Sequence, residues 1–496
     1  MKLANATDRT LCFGDINLVM VYDRSQEGTE IDDSDIATSK LLQQCIIDDD
    51  VIILEADETT TFYKSIISRK LIVDENKIKV TEEKESDDGF VKDERRNHIN
   101  DYTPDRNTSS RLKYLETGIA DVSYHGPILD YGGYARMNRY YALELAKKKN
   151  INLRIDPMDS RPDVEPEVRE NILSHNASIG EDAIRIFGCT APYFNWGGYK
   201  VLYTMMETRH SHEQYVDRCN HANELWVPSK WCIESFRESG VRSDMHYMPI
   251  GVDFDIYNET KQPLDFGGKV GGFVFVSVFG WSMRKGYDVL LKSYLEEFSG
   301  KDDVTLLISS RYFGSIDEDK KQIIRNDIER VSNSVKKKDK PRVVLFGDLM
   351  PDEMMGNLYN TCHCYVCPSR GEGFGLPPLE ASMCGLPVIS SCVTGLSDFI
   401  REDNSYIIPH SGWGKQPDIN WISFFYEDQE LAQFDDNSIQ ATMNHMRNVY
   451  ENYDKAKVKN RKLQKFIREN YSWKTCIERA EDRIMKIYKK LSEKGE

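Results

Sequence analysis

The stretch that decides the fold lies at residues 364–391 and reads CYVCPSRGEGFGLPPLEASMCGLPVISS. Its apolar beginning, Tyr365 to Cys367, predicts a buried strand, and the three glycines that alternate with other residues soon after it predict a loop. The two prolines that follow fit the first turn of a helix, where a missing N–H costs nothing. We expect Gly385 to end that helix and a second strand to form at residues 388–391.

This unit of strand, glycine loop, helix and strand places free backbone N–H groups at a helix N-terminus, which is a binding site for anions and above all for phosphates. Two carboxylates bracket it, because Glu372 lies in the loop and Glu380 lies in the helix. A glutamate in the loop can accept hydrogen bonds from sugar hydroxyls, and a glutamate deeper in the helix can hold the two hydroxyls of a ribose. A nucleotide sugar has this arrangement, with phosphate between a sugar and a ribose.

The run from Glu372 to Ile389, with Glu-Gly-Phe-Gly-Leu-Pro-x-Leu-Glu-Ala followed by Cys-Gly-Leu-Pro-Val-Ile, resembles the signature of retaining glycosyltransferases of the GT-B fold, family-4 type (glycosyl transferases group 1). The resemblance implies an α/β fold with two doubly wound Rossmann-like domains facing across a cleft, here with a small N-terminal extension. It also implies transfer of a sugar from a nucleotide-diphosphate sugar to an acceptor hydroxyl, with retention of anomeric configuration. Two alternatives stay open: a noncatalytic glycosyltransferase-like subunit that binds a nucleotide sugar or a partner, and a GT-B nucleotide-sugar epimerase.

The resemblance assigns the contacts to the sugar donor to the second domain. Glu372 would hold sugar hydroxyls, Glu380 would hold the ribose, and Lys285 would grip the diphosphate. Trp281 stands where relatives usually have a second cation, an arginine, so Arg284 is the candidate replacement. Catalysis is therefore expected from Glu372, Lys285 and Arg284, which would stabilise the departing diphosphate and the cationic sugar. Further contacts to the donor are expected from Gly280, Gly347, Leu349, Gly373, Phe374, Gly375 and Leu376.

The first domain is expected to carry the sugar and acceptor side of the site. Gly132 and Gly133 follow its first predicted strand, where a doubly wound domain exposes backbone to ligand. Glu207 and His210 follow an apolar strand predicted at residues 200–206, and polar groups at the carboxyl end of a buried parallel strand point into the ligand crevice. These four residues are the candidates on this side.

The predicted organisation has five parts. They are an N-terminal extension of unassigned role at residues 1–80, a charged linker or loop at 81–115, the first GT-B domain at 116–252, the second at 253–460, and C-terminal helices that brace the first domain at 461–496. Within the extension the sequence predicts strands at 18–22 and 51–54, a helix at 34–45 and a hairpin at 70–80.

Composition narrows the class of protein. The 496 residues carry a formal net charge of −16, which argues against broad binding to nucleic acid. No apolar run reaches about 18 residues, so no transmembrane helix is expected, and the first residues lack the apolar core of a signal peptide. We therefore expect a cytoplasmic protein whose eleven cysteines are free thiols. The cluster of Cys362, His363, Cys364 and Cys367 is expected to pack in the core rather than to bind zinc.

No cofactor and no metal are expected. Asp253 and Asp255 spell the metal-binding pattern of a different glycosyltransferase fold, but they lie where the resemblance places the crossing between domains. The expected small-molecule partner is a UDP-, GDP- or ADP-linked sugar. The expected acceptor is a glycan, a metabolite or a protein, and a lipid-linked or nucleic-acid acceptor stays open.

Overall fold

The structure of the chain is a computed structural model. It describes residues 118–493 except 131, 160–163, 191–196, 313–317, 349 and 416–428, together with five short strands between residues 2 and 55. The chain divides into two compact units, residues 1–105 and residues 106–496.

The described residues of the first unit form two small antiparallel sheets. Its strands are β1 (Lys2–Asn5), β2 (Leu11–Phe13), β3 (Leu18–Met20), β4 (Thr29–Glu30) and β5 (Val51–Glu55). Strand β1 lies between β4 and β5, and β2 pairs with β3. The strands predicted at 18–22 and 51–54 are confirmed, the first of them in a shorter form. The predicted helix at 34–45, the hairpin at 70–80 and the linker at 81–115 lie outside the described residues.

The second unit begins with a six-stranded parallel sheet in the order β11-β10-β9-β8-β6-β7. Parallel sheets are normally covered on both faces, and all four residues of β10, Glu-Leu-Trp-Val, are buried. The strands are β6 (Ala120–Gly126), β7 (Ile151–Pro157), β8 (Ile184–Gly188), β9 (Tyr199–Tyr203), β10 (Glu224–Val227) and β11 (Asp244–Tyr247), and the helices are α1 (Gly133–Ala146), α2 (Pro166–Ser174), α3 (Glu213–Asn220) and α4 (Lys230–Glu238).

A second six-stranded parallel sheet follows, in the order β14-β13-β12-β15-β16-β17. An antiparallel ribbon of two strands, β18 and β19, comes after it. The strands are β12 (Phe273–Gly280), β13 (Val304–Arg311), β14 (Arg342–Phe346), β15 (Cys364–Cys367), β16 (Val388–Ser391), β17 (Tyr406–Ile408), β18 (Gly412–Lys415) and β19 (Glu430–Gln433), and the helices are α5 (Tyr287–Glu297), α6 (Glu318–Ser334), α7 (Asp352–Asn360) and α8 (Leu376–Met383).

The deciding stretch folds as its sequence predicts, into β15, the glycine loop, α8 and β16. Gly375 caps α8 at its N-terminus with a φ of 102°, and Gly385 follows its C-terminus with a φ of 89°. Both values lie in the left-handed region, which glycine reaches without the steric cost that a Cβ brings. The two glycines therefore set where the helix begins and ends.

The strand predicted at 200–206 ends earlier, at Tyr203. The backbone beyond it is bound by a side chain instead, because the N–H of Met205 donates to the hydroxyl of Tyr134 at 3.2 Å. The segment from Thr204 onward is thereby a loop at the carboxyl end of β9, and Glu207 and His210 lie in it.

The chain ends in three helices, α9 (Asp436–Glu451), α10 (Tyr453–Asn470) and α11 (Trp473–Glu493). Helix α10 stays with the second domain, where Asn460 and Ser382 share a hydrogen bond of 2.7 Å. The chain crosses back to the first domain at Tyr471. The carbonyl of Tyr471 accepts from the N–H of Val252 at 2.8 Å. Helix α11 then packs on the first domain, where Glu481 pairs with Lys148 at 2.7 Å.

The predicted fold class is confirmed, with two doubly wound domains in the second unit and further strands ahead of them. No helix of the described part combines the length and the apolar composition needed to cross a membrane. Cys362, Cys364 and Cys367 are buried free thiols. Over the same part of the chain, no cluster of three or more His, Cys, Asp or Glu side chains has an arrangement suited to a metal ion.

Candidate active site

The site lies where the strand order of the second sheet reverses. The chain goes from β12 outward to β14 and then returns to the other side of β12 with β15. In open α/β sheets, ligands bind beyond the carboxyl ends of the strands at this switch point. The loop after β12 carries Arg284 and Lys285, and the loop after β15 carries Glu372. The topology therefore brings residues 87 positions apart to the same edge.

Lys285, Arg284 and Glu372 form one charged cluster at this edge. The ammonium of Lys285 donates to both carboxylate oxygens of Glu372, at 2.6 and 2.7 Å. The guanidinium of Arg284 lies 3.7 Å from Glu372 and 3.7 Å from Glu207, which comes from the first domain. Arg284 also donates to the carbonyl of Gly371. The three predicted catalytic residues and one predicted acceptor-side residue are thus brought together.

The cations control the charge of Glu372. Burial would raise the pKa of this carboxyl, but the charges of Lys285 and Arg284 and hydrogen bonds from Lys285 and Ser369 lower its pKa below the usual value. Glu372 is therefore a carboxylate at neutral pH. Lys285 and Arg284 face two carboxylates, Glu372 and Glu207, so an anionic ligand such as a diphosphate would compete with these carboxylates for the two cations.

The glycines of the loop let two backbones approach closely. A Cβ on Gly371 would lie 2.0 Å from the carbonyl oxygen of Glu207, and a Cβ on Gly373 would lie 2.5 Å from the Met205 side chain. Both neighbours belong to the loop after β9 of the first domain. Gly371 and Gly373 are thus needed for the contact between the domains, and this contact places Glu207 at the site.

Thr394 and its neighbour Gly395 stabilise the glycine loop through hydrogen bonds to Glu372. The sequence interpretation did not single out Thr394. Its hydroxyl accepts from the N–H of Glu372 at 2.7 Å, while the N–H of Gly395 donates to the carbonyl of Glu372 at 2.9 Å. Thr394 has a φ of 50°, which is uncommon for a residue other than glycine. Strained backbone of this kind persists where the surrounding structure fixes it and is frequent at functional sites.

Glu380, the expected ribose ligand, is held by side chains of both domains. It is fully buried, and both of its carboxylate oxygens have partners: the guanidinium of Arg136 at 2.6 Å and the hydroxyl of Tyr359 at 3.3 Å. Arg136 also lies 3.3 Å from Asp352 and donates to the hydroxyl of Tyr257. A ribose at this place would share Glu380 with Arg136 and Tyr359 or displace them.

The charges around Glu380 compensate one another. Burial raises the pKa of Glu380 although Arg136 lowers it, and the two carboxylates raise the pKa of Arg136 although burial lowers it. Arg139 adds a second cation, 3.0 Å from Asp352. No local sequence pattern indicated this network, because Arg136 and Arg139 lie on α1 of the first domain while Asp352 and Glu380 belong to the second.

Trp281, which stands in the position of the usual arginine, faces the core rather than the site. It is buried and stacks on Tyr287, with ring centroids 4.3 Å apart and planes inclined by 17°. Its indole N–H donates to Asp327 at 2.9 Å. The second cation beside Glu372, in addition to Lys285, comes instead from Arg284. Arg284 lies three residues after Trp281, on a single 3₁₀ turn at Met283–Lys285.

The described ones among the remaining residues predicted to contact the sugar donor lie at the ends of β12 and β14 and at or just before the start of α8. Gly280 ends β12, and a Cβ there would meet no atom within 4 Å. The Phe374 side chain packs in the core against Tyr471, at a centroid distance of 5.4 Å, and Leu376 begins α8. Gly347 follows β14, and Leu349 lies outside the described residues.

On the first domain, the predicted residues lie at two strand ends. Gly132 and Gly133 are exposed at the start of α1, and the N–H of Gly132 donates to Asp130. Glu207 reaches the charged cluster as described above. His210 lies in the same loop, where its carbonyl accepts from the Thr208 hydroxyl at 2.6 Å.

Comparison with known sequences finds a family match within the second domain. Residues 271–413 match the family model described as glycosyl transferases group 1. A stretch of 67 residues is 40% identical to the serotype-specific mannosyltransferase WbdA of Escherichia coli, covering 14% of this chain and 8% of WbdA. The matched stretch therefore spans less than a tenth of that relative.

Comparison with solved structures extends over most of the chain. The complex of Anabaena Alr3699/HepE with UDP and glucose superposes with a TM-score of 0.52, 11% identity, and coverage of 74% of this chain and 99% of that one. Sucrose-phosphate synthase from Thermosynechococcus elongatus superposes with a TM-score of 0.51, 15% identity, and coverage of 75% and 99%. The described body of the chain has the GT-B fold, and its second domain matches the glycosyl transferases group 1.

Proposed function

We propose that this chain is a retaining glycosyltransferase that moves a sugar from a nucleotide-diphosphate sugar to an acceptor hydroxyl without a metal. The observation that carries the proposal is the convergence of Lys285 and Arg284 on Glu372 at the switch point of the second sheet. The family match over residues 271–413 supports it. Glu207 comes from the first domain and lies at the same cluster. This supports a reaction between one ligand bound to the first domain and another bound to the second.

The cluster suits the charges that develop in this reaction. A bound diphosphate would draw Lys285 and Arg284 toward itself, and this would free the carboxylate of Glu372 to accept hydrogen bonds from sugar hydroxyls. As the bond between the anomeric carbon and the diphosphate oxygen breaks, the negative charge on the leaving group grows. Preorganised cations are then worth more in the transition state than in the ground state.

Retention follows from attack on the face that the diphosphate leaves. The acceptor oxygen forms its bond to the anomeric carbon on that face, and its proton passes to the departing phosphate oxygen. No side chain is then needed as a base, which agrees with a Glu372 that is already held by two cations. Glu372 would orient the sugar and balance its positive charge in this mechanism.

The relatives favour mannose as the first sugar to test, because WbdA is named a mannosyltransferase. The nucleotide base is left to experiment, with UDP-, GDP- and ADP-sugars as the candidates. The acceptor is a glycan, a metabolite or a protein. Loops of the first domain would select it, since loops are the most variable parts of a fold.

Isothermal titration calorimetry in the presence of EDTA tests the proposal, with UDP-, GDP- and ADP-linked mannose and glucose as ligands. We expect one nucleotide sugar to bind and to be hydrolysed slowly in the absence of an acceptor. Lys285→Ala should lower the hydrolysis rate by about 10²–10³-fold, in line with the loss of one charge-stabilising group. Lys292→Ala is the matched control, since Lys292 lies on α5 and pairs with the exposed Asp436 at 3.4 Å.

The outcomes separate the proposal from its alternatives. Tight binding without hydrolysis or transfer would indicate the noncatalytic subunit. Release of a free sugar with altered stereochemistry would indicate the epimerase. No binding to any of these nucleotide sugars, with or without added saccharides, would contradict the proposal.

A further inference from the structure

Two tryptophans from different domains stack on one another. Trp231 is the second residue of α4 in the first domain, and Trp413 lies on β18 in the ribbon of the second domain. Their ring centroids are 5.5 Å apart, and their planes are inclined by 11°. Both side chains are only partly buried, so the pair offers indole surface as well as a contact between domains.

The pair lies close to the candidate active site on both of its sides. Ser229, which caps α4 two residues before Trp231, donates to the carbonyl of Gly373 at 2.8 Å. Across the ribbon, Trp413 is paired in register with Ala432, and the N–H of Ala432 donates to the carbonyl of Arg370 at 3.1 Å. The two tryptophans therefore flank the loop that carries Glu372.

Charged and polar groups frame the aromatic pair. The guanidinium of Arg209 lies 5.8 Å from the Trp413 ring and 3.2 Å from Glu430. The ring of His410 lies 5.7 Å from the same indole. Arg209, Glu430 and His410 are exposed or nearly so. A flat apolar surface with hydrogen-bonding groups at its edge is the usual composition of a site for a ligand that is apolar on one face and polar around its rim.

The indole N–H of Trp231 is buried and has no hydrogen-bond partner within the described part of the chain. A buried donor without an acceptor is costly, and buried polar groups usually have a protein, water or ligand partner. A hydroxyl oxygen beside Trp231 would supply that acceptor.

The nucleotide base is an unsuitable occupant of this surface. The ribbon follows β17, which is one edge strand of the second sheet, whereas Gly347, near the expected base, follows β14 at the opposite edge. The ribbon itself bonds to Arg370 after β15, which is three strand spacings from β14, or about 14 Å at roughly 4.8 Å for each. The tryptophan pair instead adjoins the Glu207 and Arg209 loop, on the acceptor side of the site.

We propose that Trp231 and Trp413 form an acceptor subsite that binds a sugar ring, and that the acceptor is accordingly a glycan. A pyranose presents an apolar C–H face, which would pack on the indoles, and a rim of hydroxyls, which Arg209, Glu430 and His410 would bind. This inference rests on the proposed transferase function, because it assigns the acceptor of the same site. It selects the glycan among the three acceptor classes that the sequence favours.

The test measures saccharide binding separately from nucleotide binding. Saturation-transfer-difference NMR and quenching of tryptophan fluorescence would be recorded with mannotriose, maltotriose, cellotriose and xylotriose, with and without UDP and GDP. We expect at least one trisaccharide to bind. Trp413→Ala should weaken its binding about tenfold, and Trp413→Phe, which keeps an aromatic face, should weaken it by less. Calorimetric nucleotide binding should stay unchanged in both variants.

A control distinguishes a sugar site from a clamp between domains. Asp398 of the second domain accepts from the backbone N–H of Lys230 at 2.9 Å and from the backbone N–H of Trp231, and neither bond involves an indole ring. Asp398→Ala weakens this contact between domains and keeps both tryptophans, so it should bind the trisaccharide as the unaltered chain does.

Three results would overturn the inference: no trisaccharide binding at millimolar concentration, equal binding to Trp413→Ala, or equal losses in Asp398→Ala and Trp413→Ala. Nucleotide binding separates this failure from failure of the proposed function. If a nucleotide sugar binds and is hydrolysed while no trisaccharide binds, only the acceptor subsite is wrong. If Trp413→Ala does not fold, the Trp413→Phe and Trp231→Phe variants carry the comparison.

Discussion

The guanidinium of Arg136 in the first domain lies 2.6 Å from the carboxylate of Glu380 in the second. Removing one partner of a buried ion pair leaves an uncompensated charge and typically costs about 3–5 kcal/mol. We therefore expect Arg136→Ala to lower the free energy of unfolding by that amount in denaturant titrations. The double variant Arg136→Ala/Glu380→Gln should be more stable than the sum of the single losses predicts, because the amide needs no cation.

The exposed pair of Lys147 and Glu144, at the end of the same helix, provides the control. Lys147→Ala should change stability by less than about 1 kcal/mol. The same double-mutant cycle measured with bound nucleotide tests the role of Glu380. If a ribose displaces Arg136, the coupling energy between positions 136 and 380 should shrink in the complex. Additive losses in the free protein would show that the pair does not stabilise the fold.

The strand–loop–helix unit was predictable because its signals are local. Strand β15, the glycine loop and α8 each depend on neighbouring residues, and Gly375 and Gly385 fix the ends of the helix through their positive φ values. Lys285 and Glu372 were predictable by resemblance, and the strand order explains why they meet. In each case the relevant pattern lies within a few residues along the chain.

The contacts between domains were not predictable in the same way. Arg136 and Glu380 are 244 positions apart, Arg209 and Glu430 are 221 apart, and neither pair forms part of a local pattern. Their meeting depends on how two complete domains pack, which neither periodicity nor capping residues encode. The inward orientation of the Trp281 side chain depends on a contact within the second domain that is also distant in sequence, because its partner Asp327 lies on α6, 46 positions later.

Two glycines of the site should respond in opposite ways to an added methyl group. A Cβ on Gly280 meets no atom within 4 Å, whereas one on Gly371 would lie 2.0 Å from the backbone of Glu207. We expect Gly280→Ala to keep the melting temperature of the free protein and to weaken nucleotide-sugar binding, because the methyl group projects where the diphosphate is expected. Gly371→Ala should lower the melting temperature, because a backbone atom of the other domain has to move.

Differential scanning calorimetry and calorimetric titration of each variant with the preferred nucleotide sugar would give both readouts. Nucleotide-sugar affinity unchanged in Gly280→Ala would place the diphosphate elsewhere. A melting temperature unchanged in Gly371→Ala would contradict the close approach of the two loops.

His125 should make the fold sensitive to acid. It is buried beside Ser123, at 2.7 Å, and stacked on Phe187. Burial lowers its pKa to about 4, and Arg185 and Arg154 act in the same direction while Asp156 opposes them. The unfolded chain therefore binds a proton near pH 6.5, and the folded chain does so only near pH 4. The stability that comes from neutral His125 is present above the first value and is lost as the pH falls toward the second.

Melting temperatures measured across this pH range should accordingly decline more steeply for the unaltered chain than for His125→Gln. His221→Gln, which alters an exposed histidine at the end of α3, should keep the steeper decline. Equal slopes for His125→Gln and the unaltered chain would show that His125 is not the group responsible.

The last helix should depend on one buried carboxylate for its attachment to the first domain. Glu224 on β10 has no exposed surface and accepts hydrogen bonds from Trp226 at 2.8 Å, Tyr199 at 3.1 Å and the Nε of Arg483 at 3.1 Å. Arg483 supplies the cation from α11. We expect Arg483→Ala to cost about 2–4 kcal/mol, somewhat less than a fully buried pair because Arg483 is partly exposed.

Hydrogen exchange followed by mass spectrometry would locate this loss. Amides of residues 473–493 should exchange faster in Arg483→Ala, while those of the second sheet keep their protection, since α11 packs on the first domain. Lys489→Ala removes an exposed pair with Glu493 on the same helix and should leave the exchange unchanged. Equal protection of α11 in all three proteins would mean that apolar packing by residues such as Ile484 and Ile487 holds the helix without the ion pair.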